Sequence, residues 1–276
     1  MTDAVVLIPA YNRRAITLAC LRQLQANGDL PRFSVLLIDD GSTDGTAAAV
    51  QRDFPTVTVL PGDGDLWWTG AMRLGMEHAF RAGAQSVIWL NDDCRPEAGA
   101  LARLAQLASG GNAAVAGPAC FTATGAPVPT GFIGRRIIAA PAAGCVGVDG
   151  LSGYCVAVPR TAWECLGPPD ARRFPHYYGD SAYTLMARQA GLTVLLTGEA
   201  RVQLPDHAPL AVSPANLRDP ALSWRLNWHR VFVANKSPFR LATQWHYLRL
   251  KYGGVSGTAL ALMRVTGWII RFVAGR

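Results

Sequence analysis

Four short apolar runs dominate the first ninety residues: 4–8 (AVVLI), 33–38 (FSVLLI), 57–60 (VTVL) and 87–90 (VIWL). Each ends in polar, Gly or Pro residues and reads as a strand buried on both faces. Segments with helical spacing separate them. Residues 13–27 carry Ile16, Leu18, Ala19, Leu21 and Leu24, with Gly28 as a stop. A second helix, capped by Thr43 or Asp44, runs to Arg52, and a third runs to Arg81 after a strand-like Leu66–Gly70 segment. Alternation at about thirty residues per unit implies an α/β fold whose parallel strands are joined by right-handed crossovers. Such a sheet gathers its strand ends along one edge. The loops after Ile8, Ile38, Leu60 and Leu90 are polar or Gly-rich, as a ligand crevice there requires. No GxGxxG follows the first strand, which argues against a dinucleotide fingerprint.

Further elements are expected as a helix over 97–107, a strand over 113–117, a strand over 152–158 and a short helix over 160–165. A helix over 180–190 is closed by Gly191 and followed by a strand over 193–196. Residues 118–148, rich in Gly, Pro and Ala, read as loops and short strands. A loop over 203–214 carries His207, and helices are expected over 217–234, 238–252 and 256–274.

The charge is uneven. The chain of 276 residues holds 26 Lys and Arg against 19 Asp and Glu, yet ten of the basic residues and only one acid lie beyond residue 217. The body is near neutral and the C-terminal fifth is a basic appendage, so the expected division is 1–215 and 216–276. Six cysteines form no CxxC pair, fit neither a zinc site nor a disulfide framework, and read as scattered buried thiols of a reducing cytoplasm. Met1-Thr2-Asp3 runs straight into a strand, so no signal peptide is expected. No long uninterrupted apolar window exists, so no membrane span is expected either.

Chemistry gathers after the strands. Asn91-Asp92-Asp93 follows the fourth. Adjacent carboxylates there read either as holders of a divalent ion that binds phosphate or as a turn capping the next helix. Pro9-Ala10-Tyr11-Asn12 follows the first strand and Asp39-Asp40-Gly41-Ser42 the second, while Tyr178-Gly179-Asp180 opens a later helix. Each alone is weak; their order and spacing together are specific.

In these motifs the chain resembles the family 2 glycosyltransferases, which have the GT-A fold, a mixed, mainly parallel sheet with flanking helices. VLIPAYNR, LLIDDGSTDGT, GDLWWTGAMRLG, IWLNDDCRP and YYGDSAYTLMARQAG carry the resemblance over roughly residues 4–235. It implies that Pro9, Tyr11, Asn12 and Asp40 line the base and ribose of a nucleoside-diphosphate sugar, with Asp40 accepting from a uracil or thymine N–H. Asn91-Asp92-Asp93 stands where the family keeps its DxD motif, with Asn91 a departure at the first position. Asp93 is then the expected ligand of Mn2+ or Mg2+, and Asp92 touches the donor. Asp180 matches the catalytic base of an inverting transfer, and a helix N-terminus favours its ionised form. Gly70 is expected to let backbone approach the diphosphate and Arg73 to neutralise it. One of Trp67 and Trp68 is expected to face inward and the other to cover a sugar. His176, Tyr177 and Tyr178 form an acceptor rim. His207, 27 residues beyond Asp180, is a candidate third metal ligand.

In the appendage, Trp224, Trp228, Phe232, Trp245, Tyr247, Tyr252 and Trp268 interleave with Arg225, Arg230, Lys236, Arg240, Arg249, Lys251, Arg264 and Arg271. That pattern suits a peripheral helix on the anionic inner face of a plasma membrane; a packing arm or homo-oligomer contact is the rival use. No nucleic-acid motif accompanies the charge. The sequence therefore points to an inverting, metal-dependent hexosyltransferase that moves a sugar from a dTDP- or UDP-linked donor to a hydroxyl of a glycolipid or surface glycan. By resemblance of LWWTGAM, a rhamnose-like donor leads. The alternatives are a sugar-nucleotide nucleotidyltransferase, which the glycine-free loop at Pro9–Arg14 disfavours, and an inactive membrane scaffold of the same fold.

Overall fold

The computed structural model describes residues 3–205, 213 and 217–275. The chain opens with β1 (Ala4–Ala10), α1 (Arg14–Ala26), β2 (Ser34–Asp39), α2 (Thr46–Asp53), β3 (Thr58–Pro61), α3 (Trp67–Arg81) and β4 (Ser86–Leu90). Then come β5 (Arg95–Pro96), α4 (Ala100–Leu107), β6 (Val115–Phe121), β7 (Pro127–Val128), β8 (Gly131–Ile133), β9 (Arg136–Ile138), β10 (Cys145–Gly147) and β11 (Gly150–Leu151). The remainder is β12 (Cys155–Pro159), α5 (Arg160–Leu166), α6 (Gly179–Gln189), β13 (Val194–Gln203), α7 (Trp224–Trp228), α8 (Leu241–Tyr252) and α9 (Gly254–Ala274).

The main sheet has the order β10-β13-β6-β12-β4-β1-β2-β3, with β5 on β13 and β7 on β6. The β4-β1-β2-β3 half is parallel, as the alternation requires. Across β12 the sheet turns antiparallel, while β13 and β6 pair in parallel. Period-two alternation divides each central strand between two cores. Val6, Ile8, Ile88 and Leu90 face α1, α2 and α4; Val5, Leu7, Val87 and Trp89 face α3, α5 and α6. The ends of β1, β2 and β4 lie together, which fixes the crevice.

Four expectations need correction. Leu66–Gly70 is not strand-like: α3 begins at Trp67. The strand expected over 152–158 begins only at Cys155, and residues 152–154 turn between β11 and β12. The last strand runs on to Gln203, with a register irregularity between Thr197 and Arg201. The helix expected over 217–234 is a short α7 followed by a π-helical turn, His229–Val233. All four depend on long-range contacts rather than local period.

The six cysteines are free; Cys20, Cys94, Cys120 and Cys155 are buried as expected, whereas Cys145 and Cys165 are exposed. The boundary proposed at residue 215 falls outside the described residues. The appendage packs on α6: Gln189 Nε2 donates to the Leu250 carbonyl at 3.0 Å and Thr243 Oγ1 to that of Arg173 at 3.0 Å. Phe232, Phe239 and Phe272 form its own small core. Against the expectation of no spanning segment, α9 is long and apolar enough to cross a membrane, with 21 residues and a mean hydropathy of 1.3. Arg264 and Arg271 interrupt the run, yet its average stays apolar.

Candidate active site

The loops after β1 and β2 are stapled together. Asn12 N donates to Ser42 Oγ at 2.8 Å, Thr43 N to Asn12 Oδ1 at 2.7 Å, and Arg14 N to Asp44 Oδ2 at 2.9 Å. Asn12 sits at φ 52°, which asparagine tolerates better than most residues. Its side-chain carbonyl thus serves the loop, and Tyr11 stands 54% exposed at the mouth. Pro9 closes β1 beside Ile38.

Asp40 is not placed as expected. Its carboxylate is buried and accepts Gly64 N at 2.9 Å, Leu66 N at 3.2 Å and Trp67 N at 3.0 Å. Three backbone donors make it the anchor of the turn into α3, not a free acceptor for a base. A Cβ on Gly62 would fall 2.7 Å from Asp40 Oδ1, so this approach needs glycine. The neighbour Asp39 is also buried but takes only Ser42 N, at 3.1 Å on Oδ1, among the side-chain bonds of the described residues. The two adjacent carboxylates therefore serve different partners, and Asp39 is the less saturated of them.

Trp67 adopts φ 55°, held by its bond to Asp40 and by Nε1 donating to Asp65 Oδ1 at 2.7 Å. Its ring meets His176 edge-on at 6.0 Å. Trp68 packs edge-on against buried Trp89 at 5.4 Å and donates through Nε1 to Asn91 Oδ1 at 2.8 Å. One tryptophan therefore leans on the core and the other on the His176 rim. Gly70 and Arg73 are not brought to the crevice. They line a separate cavity of about 460 Å³ with Glu77, Arg172 and Arg240. Gly70 packs against Leu66, and Arg73 pairs with Glu77 at 2.9 Å.

At the end of β4, Asn91 is fixed twice, by Trp68 and by its own N–H donating to the Tyr154 carbonyl at 2.9 Å. Asp92 is 4% exposed and turned toward α1, where Thr17 Oγ1 donates at 3.1 Å and Arg13 Nε lies at 3.2 Å. Burial pushes its carboxyl up to about 6 against the pull of Arg13. A donor-facing Asp92 does not fit this placement. Asp93 is part-exposed and pairs with Arg13 at 2.7 Å. Burial opposes the Arg13 charge, but the two carboxylates outweigh it and raise the pKa. Arg13 was missed, although the pair Arg13-Arg14 directly after β1 signalled it. No group of three or more His, Cys, Asp or Glu gathers among the described residues. Asp93 alone is enough for an ion that takes its remaining oxygens from water and a diphosphate, so the residues fit Mg2+ or Mn2+ bound together with substrate. His207 lies outside the described residues.

Asp180 sits in the first turn of α6. Gly153 N donates to its Oδ2 at 2.5 Å and Ser181 N to its Oδ1 at 2.7 Å. Burial pushes its carboxyl up, and these donors oppose the rise; the helix terminus does not win outright. A raised pKa suits a proton acceptor. Tyr154 was also missed: burial, then the Asp180 charge, pushes its phenol up to about 12, and Asp93 adds to this. One phenol thus feels both carboxylates. Tyr178, at φ 67°, caps α6; its hydroxyl accepts Gln244 Nε2 at 2.9 Å and its ring lies 4.5 Å from Tyr247. His176 is driven down to about 4 by burial and then by Lys236, so it is neutral at pH 7. Cys94 is buried, with its thiol pushed well up by burial and then by Asp93, which removes it as a nucleophile.

Residues 5–137 match the model of glycosyl transferase family 2. The match covers just under half of the chain. Two solved structures share the GT-A fold of the whole chain. GalNAc-T7 with UDP, GalNAc and Mn2+ has a TM-score of 0.61 at 14% identity, covering 95% of this chain and 54% of that one. Mannosyltransferase PcManGT from Pyrobaculum calidifontis, with GDP-Man and Mn2+, has a TM-score of 0.60 at 14% identity, covering 99% and 76%. The chain spans about half the length of the former and three quarters of the latter. Comparison with curated proteins found no match.

Proposed function

We propose that this chain is an inverting glycosyltransferase of family 2 using a nucleoside-diphosphate sugar. The observation that carries the reading is Asp180: a carboxylate of raised pKa held by Gly153 N, near enough to Asp93 that both carboxylates raise the pKa of Tyr154. Asp180 takes the proton of an acceptor hydroxyl as that oxygen attacks the anomeric carbon, and direct displacement inverts the centre. Pro9, Tyr11 and Asp39 receive the base and ribose. Asp93 would hold Mn2+ or Mg2+, which when bound neutralises charge developing on the leaving diphosphate. Arg13, already against Asp93, contributes a fixed positive charge on the same side. Trp67, His176 and Tyr178 form the acceptor rim. The acceptor is a hydroxyl of a glycolipid or growing glycan, and the C-terminal helices keep the protein at a membrane surface. The Mn2+ complexes of the two structural relatives support a divalent ion and a nucleotide-linked donor.

A melting screen of UDP, dTDP and GDP with Mn2+ tests the donor part, because a ligand of the native state raises Tm. Upward shifts are expected for UDP or dTDP; no shift with any of the three sinks the reading. Asp180→Asn should retain that shift and lose transfer by at least about a hundredfold, the low end for a general base.

A further inference from the structure

The C-terminal region carries a feature the transfer reaction does not use. A cavity of about 630 Å³ lies between α6 and α8, with Arg173, Trp245, His246, Arg249 and Gly254 in its wall. It adjoins a second of about 510 Å³ through Arg173, His246 and Asp170, and that one adds Arg172. Asp170 is the single carboxylate in either wall, and it is paired with Arg173 at 3.5 Å. The charges converge: His246 is held down first by burial and then by Arg173, with Arg240 and Arg249 adding to this against Asp170. The Arg249 guanidinium lies over the Trp245 ring at 5.3 Å and donates to Thr258 Oγ1 at 3.1 Å, joining the cleft to α9.

The cleft opens at the start of α9. That helix is apolar on both sides. Its inner side packs Gly257, Ala261 and Phe272 into the protein, while Val255 (88% exposed), Leu262, Met263, Ile270 and Val273 face outward. Apart from Arg264 and Arg271 this exposed surface is largely apolar, and an outward apolar face asks for a second apolar environment. Because its inner face is engaged with α8 and the phenylalanine core, α9 lies along the protein rather than standing away from it.

We propose that the α6–α8 cleft binds the phosphate headgroup of an anionic membrane lipid, with the outward face of α9 laid in the same membrane surface. Planar guanidinium groups suit phosphate oxygens, and an indole beside them suits the interfacial depth at which headgroups lie. The proposal deepens the membrane-facing part of the reading above and names its residues and ligand chemistry.

The test is sedimentation of the full chain with phosphatidylcholine vesicles, with and without about a third phosphatidylglycerol. Binding is expected only with the anionic lipid. Arg173→Ala/Arg249→Ala should weaken it by roughly thirtyfold, the effect of two arginines near an anionic surface. Leu262→Ser/Ile270→Ser should weaken it independently. Arg22→Ala/Arg52→Ala, on the α1–α2 side of the sheet, removes the same charge elsewhere and should change binding by less than about threefold. The substituted side chains are exposed or line an open cleft, and unchanged melting curves confirm folding. No binding of the unaltered protein overturns the proposal. So does a cleft variant that binds normally, or a control variant that loses as much. The nucleotide melting screen needs no vesicles, so failure of the transferase reading is separable from failure here.

Discussion

Gly153→Ala probes the candidate base without replacing its carboxylate. Gly153 stands in the turn between β11 and β12, and its missing side chain makes room for two others. A Cβ there would fall 2.6 Å from Asp180 Cβ and 2.8 Å from Trp68 Cζ2. Carbon atoms pack at about 3.5–4.0 Å, so relief requires a shift of roughly 1 Å in the turn, the base or the indole. Trp68 is tied to Asn91 and packed edge-on against Trp89, so the turn and Asp180 must yield. Overpacking of this kind destabilises by about 1–3 kcal/mol. Misplacing a reacting group by about 1 Å lowers turnover roughly a hundredfold. Steady-state transfer assays should show that fall in kcat, a melting temperature lower by a few degrees, and nucleoside-diphosphate affinity within about threefold of normal. A folded variant with near-normal kcat would refute both the tight Gly153–Asp180 contact and the assignment of Asp180 as base.

The two aspartates after β2 should separate stability from binding. Asp40→Asn removes the charge from three backbone bonds and should destabilise by about 2–3 kcal/mol in denaturant melts, whereas Asp39→Asn should mainly weaken UDP or dTDP binding in titrations; the reverse pattern would restore Asp40 as the base-binding residue. Asp93→Asn should raise the Mn2+ concentration needed for half-maximal transfer, and an unchanged metal titration would remove it as a ligand. His176 has an unfolded pKa of 6.5 and a folded value of about 4. The native state therefore holds fewer protons between these values, so its stability is complete above pH 6.5 and falls by up to about 3 kcal/mol as pH drops to 4. His176→Phe should flatten the melting temperature over that window, and an unaltered pH dependence would count against the burial of the imidazole.

The motifs were legible because each is local. A strand, the polar loop after it and the cap of the next helix all lie within a dozen residues, and hydrophobic period reports them directly. The GT-A architecture followed from their order, and so did the short list of carboxylates. The missed or misassigned residues shared a different property. Asp39 and Asp40 are indistinguishable in sequence; the pleat of β2 and the turn at Gly62–Trp67 decide which is saturated. Asp92 turns toward Thr17 on α1, 75 positions earlier, and Arg13 reaches Asp93 across 80 positions. Gly70 and Arg73 follow their helix toward a different cavity.

The sequence by itself determined which segments become strands and helices, and that their polar ends must meet along one sheet edge, because backbone period and chain connectivity are enough for that. Only the tertiary structure decided which carboxylate after β2 is saturated by backbone donors, that a glycine between β11 and β12 leaves room for Asp180, and that α8 braces the Tyr178 cap of α6. Those outcomes depend on packing between segments that share no local pattern. The same holds for α9: its composition made it apolar, but packing of Phe272 and Ala261 determined which face remains outside.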